Sequence, residues 1–164
     1  MLQSHTRRLI KVNNNCVLIV DDNPLELKLF CHAFEKSGIN AISTDKPNDV
    51  LELAAKEQPD YIILDLYMPE KSGFDVCKEL KLDYRTRDIP VLFVTASDSL
   101  DDAIESIHMG VIDYIHKPVS ITNLVEQVIK HNVVNNVRSA YQPMRDEMQN
   151  FVTKYANEGI NKNE

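Results

Sequence analysis

The sequence predicts an α/β fold: a five-stranded parallel sheet with helices on both faces, plus a C-terminal helical extension. Three observations predict it. Short apolar runs recur at 16–20, 39–43, 60–64, 89–94 and 112–116. Most of these runs are continuously hydrophobic rather than alternating, the pattern of strands covered on both faces. Between them lie segments of about a dozen residues with apolar positions at helical spacing, several opened by cap residues and closed by glycine.

Taken in order, residues 16–20 read as a fully buried first strand. Asn23 caps the helix that follows, and Pro24 takes its first position, where a missing N–H does no harm. Leu29, Phe30, Ala33 and Phe34 form its apolar stripe, and Gly38 ends it. A weaker strand near 39–43 precedes a helix starting at Pro47, with Val50, Leu51 and Ala54 inward. After the third strand, Ser72 and Gly73 lead into a helix carrying Phe74, Cys77 and Leu80. The charged stretch 83–88 reads as a loop before the fourth strand. Ser97, Asp98 and Ser99 cap a fourth helix with Ala103, Ile104 and Ile107 inward, closed by Gly110. The fifth strand and a helix from 121 to about 134 complete the unit. Right-handed crossovers leave few topologies, and the flavodoxin-like strand order 2-1-3-4-5 fits best.

The predicted organisation is a poorly ordered lead-in (1–14), the α/β domain (15–134) and a helical extension or linker (135–164). In the extension, Val134, Val137, Tyr141, Met144, Met148, Phe151 and Tyr155 alternate at spacings of three and four, the seam of a helix that packs on a partner. Pro143 predicts a break near 140–142, then a helix from about 143 to 157 with Gly159 just past its end. The seam can face the domain or a second chain. The first is favoured, because three heptads broken by a proline make a poor zipper.

Composition narrows the function. The net charge of -7 belongs to the first 135 residues, since four basic and four acidic side chains cancel in 136–164. An acidic domain without a basic stripe argues against direct nucleic-acid binding. No apolar stretch approaches the roughly 20 residues of a membrane span, so no membrane partner is expected. Cys16, Cys31 and Cys77 are odd in number and widely spaced. They read as small buried hydrophobes in a reducing compartment, and a cytoplasmic location is expected.

Polar residues follow four of the runs: Asp21 and Asp22 after the first, Asp65 after the third, Thr95 after the fourth, Lys117 and Pro118 after the fifth. Strand ends of a parallel sheet converge on one edge, where ligands bind. Three carboxylates, a hydroxyl and an ammonium in one pocket suit a divalent metal and a phosphoryl group. Mg²⁺ takes oxygen ligands in octahedral geometry, one or two carboxylates among them. Asp22 and Asp65 supply those, and Asp21 holds a bound water. Asp65 is the better nucleophile for an aspartyl phosphate: it ends the central strand, and Met68, Pro69 and Gly73 make the sharp turn after it. Lys117 pairs with one phosphoryl oxygen as a point charge, and the Thr95 hydroxyl donates to another. Singly, each residue has a duller explanation as a turn, cap or solvated side chain; their joint placement reverses that judgement.

At these residues the chain resembles the receiver domain of bacterial two-component response regulators, the single-receiver, chemotaxis-regulator type included. The matching elements are Asp21 and Asp22; Asp65 with Met68, Pro69 and Gly73; Thr95 and Ala96; and Gly110 through Asp113 and Tyr114 to Lys117 and Pro118. The resemblance implies Asp65 as phosphoacceptor, with Asp22, Asp65 and the Tyr67 backbone carbonyl as direct Mg²⁺ ligands and Asp21 acting through water; Mn²⁺ is expected to substitute. It implies a cis Lys117–Pro118 bond and a phosphoryl pocket kept open by Ala96 beside Pro118. It further implies a switch in which Thr95 moves toward the phosphoryl group and Tyr114 rotates from exposed to buried. The implied readout face comprises helix 4, strand 5 and helix 5, including Ile104, His108, Tyr114 and Val125. Tyr67 and Ser97 flank the pocket where receivers vary, and the resemblance makes them candidates for tuning phosphoryl lifetime.

The implied function is a phosphorelay signalling module, phosphorylated by a histidine kinase or phosphotransfer protein and read by a downstream protein partner. It is not expected to be an enzyme beyond self-phosphorylation and autodephosphorylation. A homodimer through the helix 4–strand 5–helix 5 face or the tail stays open. With no second core after residue 134, a stand-alone regulator or relay intermediate is expected, a receiver fragment being the other option. Two alternatives compete. A metal-dependent aspartyl-phosphate phosphatase of haloacid dehalogenase type places a second Asp where Tyr67 stands, which counts against it. A flavodoxin-like FMN carrier lacks its phosphate loop after the first strand.

Overall fold

The computed structural model describes residues 15–160; the lead-in expected over 1–14 lies outside them. The elements are β1 (Cys16–Val20), α1 (Pro24–Lys36), β2 (Asn40–Thr44), a 3-10 turn (Pro47–Asp49), α2 (Val50–Glu57), β3 (Tyr61–Leu64), α3 (Gly73–Leu82), β4 (Val91–Thr95), α4 (Leu100–His108), β5 (Asp113–His116) and α5 (Ile121–Ile160). The strands form one parallel sheet in the order β2-β1-β3-β4-β5, as the sequence predicted. The described residues divide into two compact units after Val125, the second being α5 from Glu126 to Ile160.

Local chemistry sets the helix ends. Asn23 Oδ1 accepts from the Leu25 amide at 3.0 Å, opening α1. At its far end Gly38 takes φ +76°, and the amides of Gly38 and Ile39 donate back to Glu35 and Phe34. Gly110, at φ +71°, closes α4 in the same way, its amide and that of Val111 donating to Ile107 and Ser106. Both are the double-bonded stop that a left-handed residue permits, which is why glycine stands there. Ser72 Oγ caps α3 by accepting from Asp75 N, and Ser99 does the same for α4. The second helix starts three residues later than expected: Pro47 begins a 3-10 turn, and Lys46 provides no side-chain cap.

The core lies on both sides of the sheet. Leu18, Val20, Ile62, Leu64, Val91 and Phe93 pack with Val50, Ala54, Val76, Cys77 and Leu80 of α2 and α3. Phe74 meets Phe93 edge to face at 5.5 Å. The alternate residues Val17, Ile19, Ile63, Leu92 and Val94 turn to the other face, and they are buried as well.

Several inward assignments need correction. In α1 the buried stripe is Leu27, Phe30 and Phe34, while Leu29 is 55% exposed. Leu29 sits one residue off the three-and-four spacing that Leu27 satisfies. In α4, Ile104 and Ile107 are 43% and 73% exposed, and the side chain turned inward is Ser106. Its hydroxyl is satisfied by the Asp102 carbonyl at 2.7 Å, so burial costs little. Val125, named with the readout face, is buried. Cys16 and Cys31 are half-buried and only Cys77 is fully so; burial pushes the Cys77 thiol up to about 11. Finally, α5 runs unbroken through 140–142 and past 157, with Pro143 inside it. One missing hydrogen bond is absorbed by flanks rich in helix formers such as Arg138, Ala140, Met144 and Glu147. Of the expected seam, Val134, Tyr141, Met144, Met148 and Phe151 are exposed; the side chains of Val137 and Tyr155 lie outside those described.

Candidate functional site

The sheet ladder runs one residue past β1 and β3, and this fixes two acids. Asp65 N donates to Val20 O at 2.9 Å, and Asp21 N to Thr44 O at 3.4 Å. Beyond β5, Lys117 N donates to Thr95 O at 2.7 Å, tying the lysine to the end of β4. Asp21, Asp22, Asp65 and Lys117 therefore meet at the carboxyl edge of the sheet.

Oxygens of Asp21, Asp22 and Asp65 lie within 4.8 Å of one another. Asp21 and Asp65 are buried (2% and 8% exposed), whereas Asp22 is exposed. Lys117 Nζ donates to Asp21 Oδ2 at 2.7 Å, pairs with Glu26 Oε2 at 2.6 Å and stands 3.6 Å from Asp65 Oδ2. Asp65 Oδ1 is buried with no partner at good hydrogen-bond geometry, the sole such side-chain atom among the described residues, although the Leu66 and Tyr67 amides lie close enough to favour the charged carboxylate. Buried polar atoms are normally satisfied, so an orphaned carboxylate oxygen beside two further carboxylates calls for a cation.

The electrostatics agree. Burial pushes the Asp65 carboxyl above the usual range; the Lys117 charge opposes this and the Asp21 charge adds to it. For Lys117, burial alone would lower the ammonium, but hydrogen bonds to Asp21 and Glu26 and the charges of Asp65 and Asp21 outweigh it, leaving it raised. One lysine is thus spread over three acids, and hard oxygen donors with one unsatisfied atom fit Mg²⁺.

The other expected residues are placed as follows. Thr95 is fully buried as the last residue of β4, and its Oγ1 accepts from Ser97 N at 3.3 Å. The Lys117–Pro118 peptide is cis. Ala96, Pro118, Lys117 and Glu26 line a cavity of about 450 Å³ together with apolar Leu29 and Phe30; Asp65 is not among its walls. Tyr114 is half-buried rather than exposed, because its phenol reaches the β4–α4 loop and donates to Ser97 O at 3.0 Å. Tyr67 extends away from Asp65 toward α4, donating to Asp102 Oδ2 at 2.6 Å. This hydrogen bond to a carboxylate pushes the Tyr67 phenol up.

Two participants were missed. Glu26 stands four residues after Asp22, in the first turn of α1, and that spacing was the available signal. Asp102 accepts from both Tyr67 and Ser97; only its place in the first turn of a capped helix hinted at a role.

Comparison with known proteins agrees with the geometry. Residues 17–129 match the model of the response regulator receiver domain. The polar-differentiation response regulator DivK of Brucella ovis is 40% identical over 112 residues, covering 68% of this chain and 91% of the relative. Among solved structures, the receiver domain of Francisella response regulator 1452 is similar at 30% identity and TM-score 0.64, covering 70% of this chain and 93% of that one. The BeF3-activated receiver domain of Klebsiella pneumoniae RstA matches at 27% identity and TM-score 0.66, covering 71% and 97%. With that strand order, that acidic edge and these relatives, the chain belongs to the response regulator receiver family of two-component signalling.

Proposed function

We propose that Asp65 accepts a phosphoryl group from a histidine kinase or phosphotransfer protein. The observation that carries this is the buried Asp65 carboxylate, one oxygen orphaned, facing Lys117 and two further acids. In the step, an Asp65 oxygen forms a bond to phosphorus as the P–N bond of a phosphohistidine breaks, the electron pair leaving with the imidazole nitrogen. Asp22, Asp65 and the Tyr67 carbonyl would hold Mg²⁺, or Mn²⁺ in its place, with Asp21 acting through water. Bound there, the ion supplies charge neutralisation and in-line orientation for phosphoryl transfer. Lys117 supplies the cation for one phosphoryl oxygen and Thr95 a hydroxyl for another, in a pocket left open by Ala96 beside Pro118.

The readout couples Thr95 to Tyr114, whose present bond to Ser97 O makes the β4–α4 loop the moving part. The switched face is α4, β5 and the start of α5, where Ile104 and His108 are exposed. Downstream partners bind there, and a second copy can pair through this face or through the tail. We place the receiver at residues 15–134 and read 135–164 as a helical extension or linker. The domain acts as a signalling acceptor limited to self-phosphorylation and autodephosphorylation, in the cytoplasm; no described helix is long and apolar enough to cross a membrane. Nothing in the site or the relatives supports the phosphatase alternative, since its second acid is replaced by Tyr67.

The test is incubation of the full chain with a small acyl-phosphate donor and Mg²⁺. A labile adduct with the mass of one phosphoryl group is expected, absent without metal and absent in Asp65→Asn. An adduct that survives in Asp65→Asn, or rapid turnover of unrelated phosphate esters, refutes the assignment.

A further inference from the structure

Two carboxylates hold the Lys117 ammonium at rest, and the third of its N–H donors has no carboxylate oxygen in hydrogen-bond reach. Of its three N–H donors, one is committed to Asp21 at 2.7 Å and a second to Glu26 at 2.6 Å. Asp65 Oδ2, at 3.6 Å, lies beyond hydrogen-bond reach. Glu26 is itself held: its other oxygen, Oε1, accepts from Asn23 Nδ2 at 3.3 Å. Asn23 in turn donates its amide to Asp21 Oδ1 at 2.8 Å. Asp21, Asn23, Glu26 and Lys117 thus close a ring of hydrogen bonds, with Glu26 fixed at both oxygens. Glu26 and Lys117 also share a wall of the 450 Å³ cavity.

We propose that Glu26 is a positioning residue that grips the Lys117 ammonium in a resting site and so limits how firmly a phosphoryl group is retained on Asp65. The inference rests on the phosphoacceptor reading above and deepens it. Nothing covalent changes at Glu26: the third Lys117 N–H reaches a phosphoryl oxygen on Asp65 as the ammonium shifts toward Asp65 and away from Glu26 Oε2. That shift lengthens a charge-assisted contact, so part of the gain is cancelled. Glu26 is only partly shielded from solvent, which keeps the effect moderate. The resting grip belongs to this chain's first helical turn, not to the acidic cluster itself.

The experiment titrates the full chain, saturated with Mg²⁺, with beryllium fluoride as a stable phosphoryl mimic, read by calorimetry and by the fluorine resonance of the bound species. Glu26→Gln removes the charge at nearly constant shape and should tighten binding roughly tenfold. It should lengthen the acyl-phosphate half-life in the same proportion. Glu26→Asp keeps the charge but withdraws the carboxylate by one methylene, about 1.5 Å. If Glu26 acts by direct contact, the Asp variant falls nearer the Gln variant than the wild type. Unchanged or weaker affinity in Glu26→Gln overturns the proposal, and so does an Asp variant that behaves like wild type. Wild-type binding that is absent, or that survives in Asp65→Asn, refutes the phosphoacceptor reading and the proposal with it. Either variant that retains the wild-type circular dichroism spectrum decides the matter.

Discussion

Gly73 offers the sharpest perturbation of the fold. A Cβ at this position would lie 2.2 Å from the Asp65 carbonyl oxygen, 2.8 Å from Leu66 Cα and 3.0 Å from the Asp65 carbonyl carbon. All three neighbours are backbone, so no side chain can rotate away. Restoring ordinary contact requires the β3–α3 turn and the start of α3 to separate by about 1.2 Å, the difference between 2.2 Å and the 3.4 Å where such contact begins. That movement also strains the bond from Gly73 N to Leu66 O, now 2.8 Å. Overpacking of this kind costs about 1–3 kcal/mol, and rigid surroundings push it to the upper end. The gain from replacing glycine in a helix is under about 1 kcal/mol and smaller at its first residue. Gly73→Ala should therefore lose about 2 kcal/mol, lowering the urea midpoint by about 1 M at a slope of about 2 kcal/mol/M. The chain has no tryptophan, and Tyr61 is buried in β3, so near-ultraviolet circular dichroism of tyrosine follows the transition. Asp65 moves with the turn, so beryllium fluoride affinity should fall as well. A midpoint within about 0.2 M of wild type, with affinity unchanged, would refute the reasoning.

Two further outcomes follow from the site. Burial, reinforced by Asp21, holds the folded-state pKa of Asp65 above its ordinary 3.8 despite Lys117. Ionising it costs stability, a penalty absent below the unfolded value and growing as pH rises through the folded one. Asp65→Asn should therefore raise the melting temperature of the metal-free chain by a few degrees at pH 7, with the gain shrinking as pH falls toward 3.8. Mg²⁺ at a hundred times its dissociation constant adds about 2.7 kcal/mol to the wild type and should add less to the variant; a variant that melts lower without metal contradicts this. Tyr67→Phe and Ser97→Ala each remove a donor to the same oxygen, Asp102 Oδ2. Each should lower the urea midpoint only slightly, while the double variant loses more than the sum, because the last donor matters more than the first. Additive midpoint shifts in urea unfolding would show that the two hydroxyls act independently.

The sheet was legible because continuous apolar runs and left-handed glycines are strong local signals; Gly38 and Gly110 end their helices where the sequence placed them. The acidic edge was legible because strand ends must converge in a parallel sheet. What escaped the sequence depends on three-dimensional neighbours. Ile104 and Ile107 have the spacing of a buried stripe, yet the helix is rotated so that a serine satisfied by its own backbone faces inward. Glu26 looked like an ordinary first-turn acid until β5 delivered an ammonium to it from 91 positions downstream, the separation of residues 26 and 117. Pro143 misled because a proline states the cost of continuing a helix without stating whether its flanks can bear it.

The seating of α4 has a mechanical corollary. This helix buries a single small side chain, against three buried residues in α1 and four in α3. With so little apolar area anchoring it, sliding or tilting α4 disturbs the core far less than moving either neighbour would. Any ligand preferring one placement over another by tenfold, about 1.4 kcal/mol, would measurably redistribute it. The proposed phosphoacceptor thus ends a strand buried along its whole length, while the proposed readout helix is the one with the fewest buried residues.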